Sequence, residues 1–171
     1  MRIKRLLSCT AVVMVLLAPC GCSSTSGPSP PSLPNFQGQF AGSYLINSCD
    51  KSGYFSGFCR GSSSHAGGTF PLELSLVQNQ TATNGTMILS QGGGTPIGGP
   101  FQGTVQSTGH LTGSATLDPL ILFGSINRDI TAWDTTITGN TLNGGFTLVY
   151  RSTTQTGTMR VNASLLQTTR R

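Results

Sequence analysis

Charged side chains are scarce in this chain of 171 residues, which has ten Lys and Arg, five Asp and Glu, and two His. General acid–base catalysis and metal binding both need titratable side chains that lie close together. The carboxylates are instead dispersed along the chain, at Asp50, Glu73, Asp118, Asp129 and Asp134. We therefore expect no catalytic activity, no metal site and no cofactor.

Common catalytic and phosphate-binding motifs are also missing. The serines include no Gly-x-Ser-x-Gly elbow. The glycine-rich segment QGGGTPIGGP, residues 91–100, lacks the Lys-Ser/Thr of a phosphate-binding loop. That segment is more typical of a flexible hairpin loop.

Basic residues form no stripe outside the first five positions. Three of the ten are Arg2, Lys4 and Arg5, which leaves seven basic against five acidic residues in the rest of the chain. Nucleic-acid binding needs basic residues clustered on one surface. Nucleic acid is therefore not an expected partner.

The N-terminus has the layout of a secretory leader. The three basic residues precede an apolar run at 6–18, which is interrupted by Ser8, Cys9 and Thr10. A membrane-spanning helix needs about 20 apolar residues, and this run is shorter and is followed by Pro19. We predict a signal peptide at 1–21, with a transmembrane anchor as the alternative.

Two cysteines end this leader, in LAPCGCS at residues 17–23. The segment resembles the lipobox of bacterial lipoproteins, which implies a diacylglycerol on the cysteine thiol and cleavage just before it. Cys22 follows the small residue Gly21, whereas Cys20 follows Pro19, which restricts the backbone at the cleaved bond. We expect lipidation at Cys22, with Cys20 or secretion without lipid as alternatives. Ser23 resembles the signal for the bacterial outer membrane.

The residues after the leader divide into two regions. Residues 22–34, including SSTSGPSPPSLP, have no apolar periodicity and predict a flexible Ser/Pro-rich linker. Residues 35–171 have the length of one domain.

Alternation of apolar and polar residues dominates this domain. Phe70, Leu72, Leu74 and Leu76 alternate with polar residues or proline, which is the signature of a β-strand. The same alternation predicts further strands in the segments 40–46, 85–89, 101–105, 111–117, 142–150 and 157–165. An eighth strand is expected at 130–138, with Trp133 and Ile137 on one face.

Glycine occupies the apolar face of most of these strands, at Gly42, Gly85, Gly103, Gly113, Gly144 and Gly157. Glycine lets a strand bend where a sheet curls on itself. Short polar turns between the segments favour pairing of neighbours in sequence. We predict an all-β, single antiparallel up-and-down barrel of about eight strands.

The first strand resembles the opening motif of lipocalins and related calycin barrels. Phe40, Gly42 and Tyr44 match its aromatic residue, glycine and following aromatic, with Tyr44 at the position where that family has Trp. The resemblance implies a barrel with a ligand site and a late arginine, here Arg160, that packs at one barrel end. The overall style also resembles small Gly/Thr-rich β-meander lipoproteins of bacteria.

Cys49 and Cys59 are the two thiols left if the leader is removed and Cys22 is lipidated. Disulfides persist in exported proteins, so we predict that these cysteines form one. Metal binding is the alternative, with His65 as a third ligand.

Candidate ligand contacts are the aromatic residues of the connection after the first strand and a few others. They are Tyr44, Tyr54, Phe55, Phe58, Trp133 and Asp134. The competing interpretation is that the loop aromatics only cap the barrel end. The sequence thus favours a lipid-anchored cell-envelope module that binds a small apolar ligand or a protein partner. A structural lipoprotein with a filled core is the alternative, and an enzyme ranks third.

Overall fold

The computed structural model describes residues 32–59, 65–91, 94–121 and 125–171. The predicted leader at 1–21 and residues 22–31 of the predicted linker, with Cys20 and Cys22, lie outside these described residues. Residues 32–37 have no regular secondary structure and lead directly into the first strand.

Eight antiparallel strands form a closed barrel, as the alternation predicted. The strands are β1 (Gly38–Lys51), β2 (Thr69–Asn79), β3 (Ala82–Leu89), β4 (Ile97–Val105), β5 (His110–Ile121), β6 (Ser125–Thr138), β7 (Thr141–Ser152) and β8 (Thr158–Arg170). Each strand pairs with the next in sequence, and β8 pairs with β1 to close the sheet. A short 3₁₀ helix, Gly53–Gly57, follows β1.

The two ends of the barrel differ in their connections. The tight end carries the short turns at 80–81, 106–109 and 139–140, together with the start of β1 and the end of β8. The loop end carries the connections from β1 to β2, from β3 to β4, from β5 to β6 and from β7 to β8. Because recognition surfaces are usually built on loops held by a rigid scaffold, the loop end is where a site is expected.

Period-two alternation places the predicted apolar residues in the core. In β2, Phe70, Leu72, Leu74 and Leu76 are buried, while the intervening residues are exposed or half-buried. One boundary differs from the expectation: β4 already begins at Ile97, inside the segment predicted as a loop. Ile97 is buried, so its side chain extends the core toward the loop end.

Glycines lie on the inner face in four of the predicted strands, where they alternate with buried residues. These are Gly42, Gly85, Gly103 and Gly113. A Cβ on Gly85 would lie 1.9 Å from the main-chain oxygen of Ser75, so the backbones of β2 and β3 approach too closely for any side chain there. Gly144 lies on the same face in a fifth strand, opposite the buried Thr135, although its backbone is exposed. Gly157 differs from the prediction, since it precedes β8.

Aromatic rings from five strands fill the barrel interior. Phe101 contacts Trp133 edge-on at 5.5 Å between ring centroids, and Trp133 stacks on Phe146 at 5.7 Å. Tyr44 continues the series, 5.3 Å from Phe146 and 5.7 Å from Phe70. We call these five residues the aromatic column. All five are buried, so the axis of the barrel is occupied by side chains rather than by an open channel.

The tight end is sealed by the residues that lead into β1. Phe36 is fully buried, and its amide donates to Gln78 Oε1 at 2.7 Å. The guanidinium of Arg170 lies over the ring of Phe40, 5.2 Å from its centroid. Arg160 is exposed, so the arginine that packs on an aromatic ring at this end is Arg170 and not Arg160.

Candidate functional site

A cleft of about 510 Å³ opens at the loop end, between the connection that follows β3 and the last residues of β5. Its polar lining includes Gln91, Asp118 and Arg128. Its apolar lining is Pro96, Ile97, Pro119 and Leu120. We call this the mouth cleft. Its volume is within the range of about 300–1,000 Å³ that is typical of small-molecule sites.

Arg128 is the most unusual residue of the mouth cleft. It occupies an inward position of β6, between the buried Ile126 and Ile130, and is 6% exposed. Strand pairing sets it opposite Leu117 of β5 and Tyr150 of β7. A cation at an inward position is rare because burial removes its hydration, so such groups are normally paired.

The guanidinium of Arg128 makes one hydrogen bond to the described residues. Its Nε donates to the main-chain oxygen of Asp118 at 2.7 Å, which leaves its two Nη groups without an acceptor in that part of the chain. Burial lowers the pKa of the guanidinium, while the nearby Tyr150 and Asp118 oppose this shift. Arginine nevertheless stays charged at neutral pH.

Four of the five carboxylates have partners other than the Arg128 guanidinium. Asp129 pairs with Arg151 at 3.1 Å, Asp134 with His110 at 2.6 Å and Glu73 with Arg171 at 3.4 Å. Asp118 Oδ2 accepts a hydrogen bond from the Gly98 amide at 3.3 Å. None of the described residues places a carboxylate within ion-pair distance of Arg128.

Two buried tyrosines form a polar layer beneath the mouth cleft. The hydroxyl of Tyr44 donates to the main-chain oxygen of Ser90 at 2.9 Å, and Gln91 Nε2 donates to the hydroxyl of Tyr150. Burial raises the pKa of both hydroxyls; the neighbouring Tyr150 raises that of Tyr44 further, and the bond from Gln91 partly offsets the shift at Tyr150. These bonds fix residues 90–91, which border the cleft.

The predicted disulfide between Cys49 and Cys59 is present. It closes the loop that holds Tyr54, Phe55 and Phe58, whose rings contact one another at centroid distances of 5.1 to 5.8 Å. Phe55 is fully buried, and the other two rings are half-buried against the core. This cluster packs as a cap on the loop end, which is the competing interpretation that the sequence left open.

Trp133 and Asp134 do not share a site. Trp133 belongs to the aromatic column, and its Nε1 donates to Thr135 Oγ1 at 2.9 Å. Asp134 points to the outer wall, where it pairs with the exposed His110. The six candidate ligand contacts therefore lie in three places: Tyr44 and Trp133 in the column, Tyr54, Phe55 and Phe58 in the cap, and Asp134 on the outer wall.

Sequence reasoning missed Arg128, Gln91 and Tyr150 as possible site residues. Arg128 carried a usable signal, since it interrupts an inward-facing series formed by Ile126, Ile130 and Trp133. Gln91 carried none, because its position depends on how the connection after β3 folds back over the barrel.

Neither a metal site nor a membrane-spanning helix is found in the described ranges. These ranges contain no group of three or more His, Cys, Asp or Glu side chains arranged to hold a metal ion. They also contain no helix with the length and hydropathy needed to cross a bilayer.

Comparison with known proteins gives no relative from which a function could be transferred. No protein family, no curated protein and no solved structure is significantly similar to this chain.

Proposed function

We propose that this chain is a lipid-anchored binding module of the cell envelope, with no catalytic activity. The observation that carries the binding part is the contrast between the two barrel ends. The tight end is sealed by Phe36, whereas the loop end holds a cleft with a buried arginine. The anchor is supported by the leader and the lipobox-like segment around Cys22, with Cys20 as the alternative acceptor.

The filled interior limits the kind of ligand that this module can bind. A lipocalin-like carrier would hold an apolar molecule inside the barrel, and here the aromatic column occupies that volume. A small molecule or an envelope protein would therefore be recognised at the loop end. The likeness to calycin barrels is therefore limited to the number of strands and the motif of the first strand.

The point of attachment limits the distance between the barrel and the membrane. Residues 32–37 enter the barrel at the tight end. The nine residues between Cys22 and Ser32 allow these two positions to be at most roughly 35 Å apart when fully extended. A lipid on Cys22 would keep the tight end within that distance of the membrane, and Ser23 supports the outer membrane. Two or more acyl chains on one residue make such an anchor stable.

A structural envelope lipoprotein is the second candidate, and the aromatic column favours it. A solid core contributes stability without needing any ligand. The two candidates differ in the mouth cleft: a purely structural barrel has no use for Arg128, whose charge meets no carboxylate at ion-pair distance among the described residues. An enzyme ranks third because the described carboxylates and histidines form no cluster beyond the exposed His110–Asp134 pair.

Mass spectrometry of the N-terminal peptide tests the anchor. We expect a diacylated Cys22 as the first residue of the mature protein and recovery of the protein in the membrane fraction. The Cys22→Ser variant should lose the lipid mass and the membrane association, while Cys20→Ser should retain both. Unmodified thiols at both positions in the native protein would contradict the anchor.

A further inference from the structure

We propose that the mouth cleft binds the anionic head of a small organic acid, with Arg128 as the charge partner and the cleft's apolar side as the seat of the acid's carbon chain. This inference rests on the proposed binding role and names the chemical class of the ligand. It does not depend on the lipid anchor.

The charge balance of the cleft carries the inference. Arg128 is 6% exposed, and its Nη groups have no acceptor among the described residues. These two groups are not among the buried side-chain atoms that lack a partner, so they are open to the cleft, where a ligand could reach them. A largely buried cation with no carboxylate at ion-pair distance is costly to fold, and a ligand oxyanion in the cleft would supply that partner. Guanidinium groups bind carboxylate and phosphate oxygens through paired N–H donors, so the chemistry matches an oxyanion.

The other residues that line the mouth cleft restrict the chemistry of the rest of the ligand. Ile97, Pro119 and Leu120 give the cleft an apolar side, which suits a hydrocarbon body rather than a free inorganic ion. Asp118 lines the same cleft, and its carboxylate is held by the Gly98 amide. Its negative charge opposes a multiply charged ligand, so a singly charged carboxylate is the preferred head group.

Isothermal titration of the full chain, in one detergent throughout, tests this with hexanoate, 1-hexanol and inorganic phosphate. Charge-assisted hydrogen bonds should make hexanoate bind about 10- to 100-fold more tightly than hexanol. Displacement of hexanoate by phosphate at comparable concentration would support an oxyanion site but assign it to free anions. If phosphate does not compete, the organic acid is supported.

Three variants locate the site. Arg128→Met should abolish the preference for hexanoate, and Arg128→Lys should keep part of it, because lysine retains the charge without the paired donors. Arg160→Met removes an exposed arginine of β8 and should change nothing. If Arg128→Met does not fold, the inference is tested by the Arg128→Lys variant and by the comparison of hexanoate with hexanol in the wild type.

Equal binding of hexanoate and hexanol, or a preference that survives in Arg128→Met, would overturn the inference. Its failure is separable from failure of the proposed anchor. A diacylated chain that ignores hexanoate keeps the anchor and loses this ligand class, whereas an unmodified chain that binds hexanoate through Arg128 loses only the anchor.

Discussion

The indole nitrogen of Trp133 donates a hydrogen bond to Thr135 Oγ1 at 2.9 Å, two residues further along β6, and both side chains are buried. Since alternate residues of a strand face the same side, the two side chains meet inside the barrel. Their contact gives the one polar atom of the indole a partner in an apolar environment.

Replacing Thr135 with Val should therefore destabilise the fold although the shape of the side chain is preserved. The buried indole N–H would lose its acceptor, at a cost of about 1–3 kcal/mol in the free energy of unfolding. Urea unfolding measures this, with Thr136→Val as a neighbouring control that should stay within about 0.5 kcal/mol. In a Trp133→Phe background, Thr135→Val should cost less. Equal costs in both backgrounds would show that the hydrogen bond is not the cause.

The positions of the strands could be predicted from the sequence because one signal, the alternation of apolar and polar residues, determines them. Apolar side chains that alternate with polar ones must face one side, and the buried series of β2 follows that alternation without interruption. Closure into a barrel followed from the number of strands and the short turns. Ile97 was assigned to a loop because the glycines around it concealed the alternation.

The site residues were harder to predict from the sequence, because their proximity depends on the register of the strands and on the paths of the loops. His110 and Asp134 lie 24 positions apart and meet because Thr112 is paired with Asp134 across β5 and β6. Side-chain alternation alone does not specify which residues of two strands face each other. Trp133 and Asp134 were grouped as neighbours in sequence, although period two turns them to opposite faces of the sheet.

Alkaline pH should unfold the barrel through its buried tyrosines. Burial raises the pKa of Tyr44 and Tyr150 above the value of about 10 for an exposed tyrosine. Their contribution to stability is thus fully present below pH of about 10 and is lost as the pH rises further, because the unfolded state releases these protons first. Tyrosinate absorbance should rise together with the loss of the far-ultraviolet circular dichroism signal.

The Tyr44→Phe variant supplies the control for this pH dependence. Its free energy of unfolding should be lower at neutral pH, by about 0.5–1.5 kcal/mol for the lost bond to Ser90. Above pH of about 10 its stability should fall less steeply than that of the wild type. Ionisation of all the tyrosines in a barrel that remains folded would contradict the expectation.

Removing the disulfide should weaken the loop-end cap. Cys49 and Cys59 are ten positions apart, and closing so short a loop contributes about 2–3 kcal/mol in the chain-entropy model. The Cys49→Ser/Cys59→Ser double variant should lose that amount in guanidinium unfolding. Reductant should destabilise the wild type by a similar amount and leave the double variant unchanged. Alkylation of both thiols in the native protein without reductant would show that the bridge is absent in solution.

Gly85 tests the close approach of β2 and β3. A Cβ at this position would lie 1.9 Å from the main-chain oxygen of Ser75, so Gly85→Ala forces the two strands apart. Overpacking of this kind costs about 1–3 kcal/mol. The matched control is Gly57→Ala, where an added Cβ would meet no atom within 4 Å, and it should change the free energy of unfolding by no more than about 0.5 kcal/mol. If Gly85→Ala changes the free energy of unfolding as little as Gly57→Ala does, the strands separate without cost. Inner-face glycine is then not needed for the curvature of this barrel.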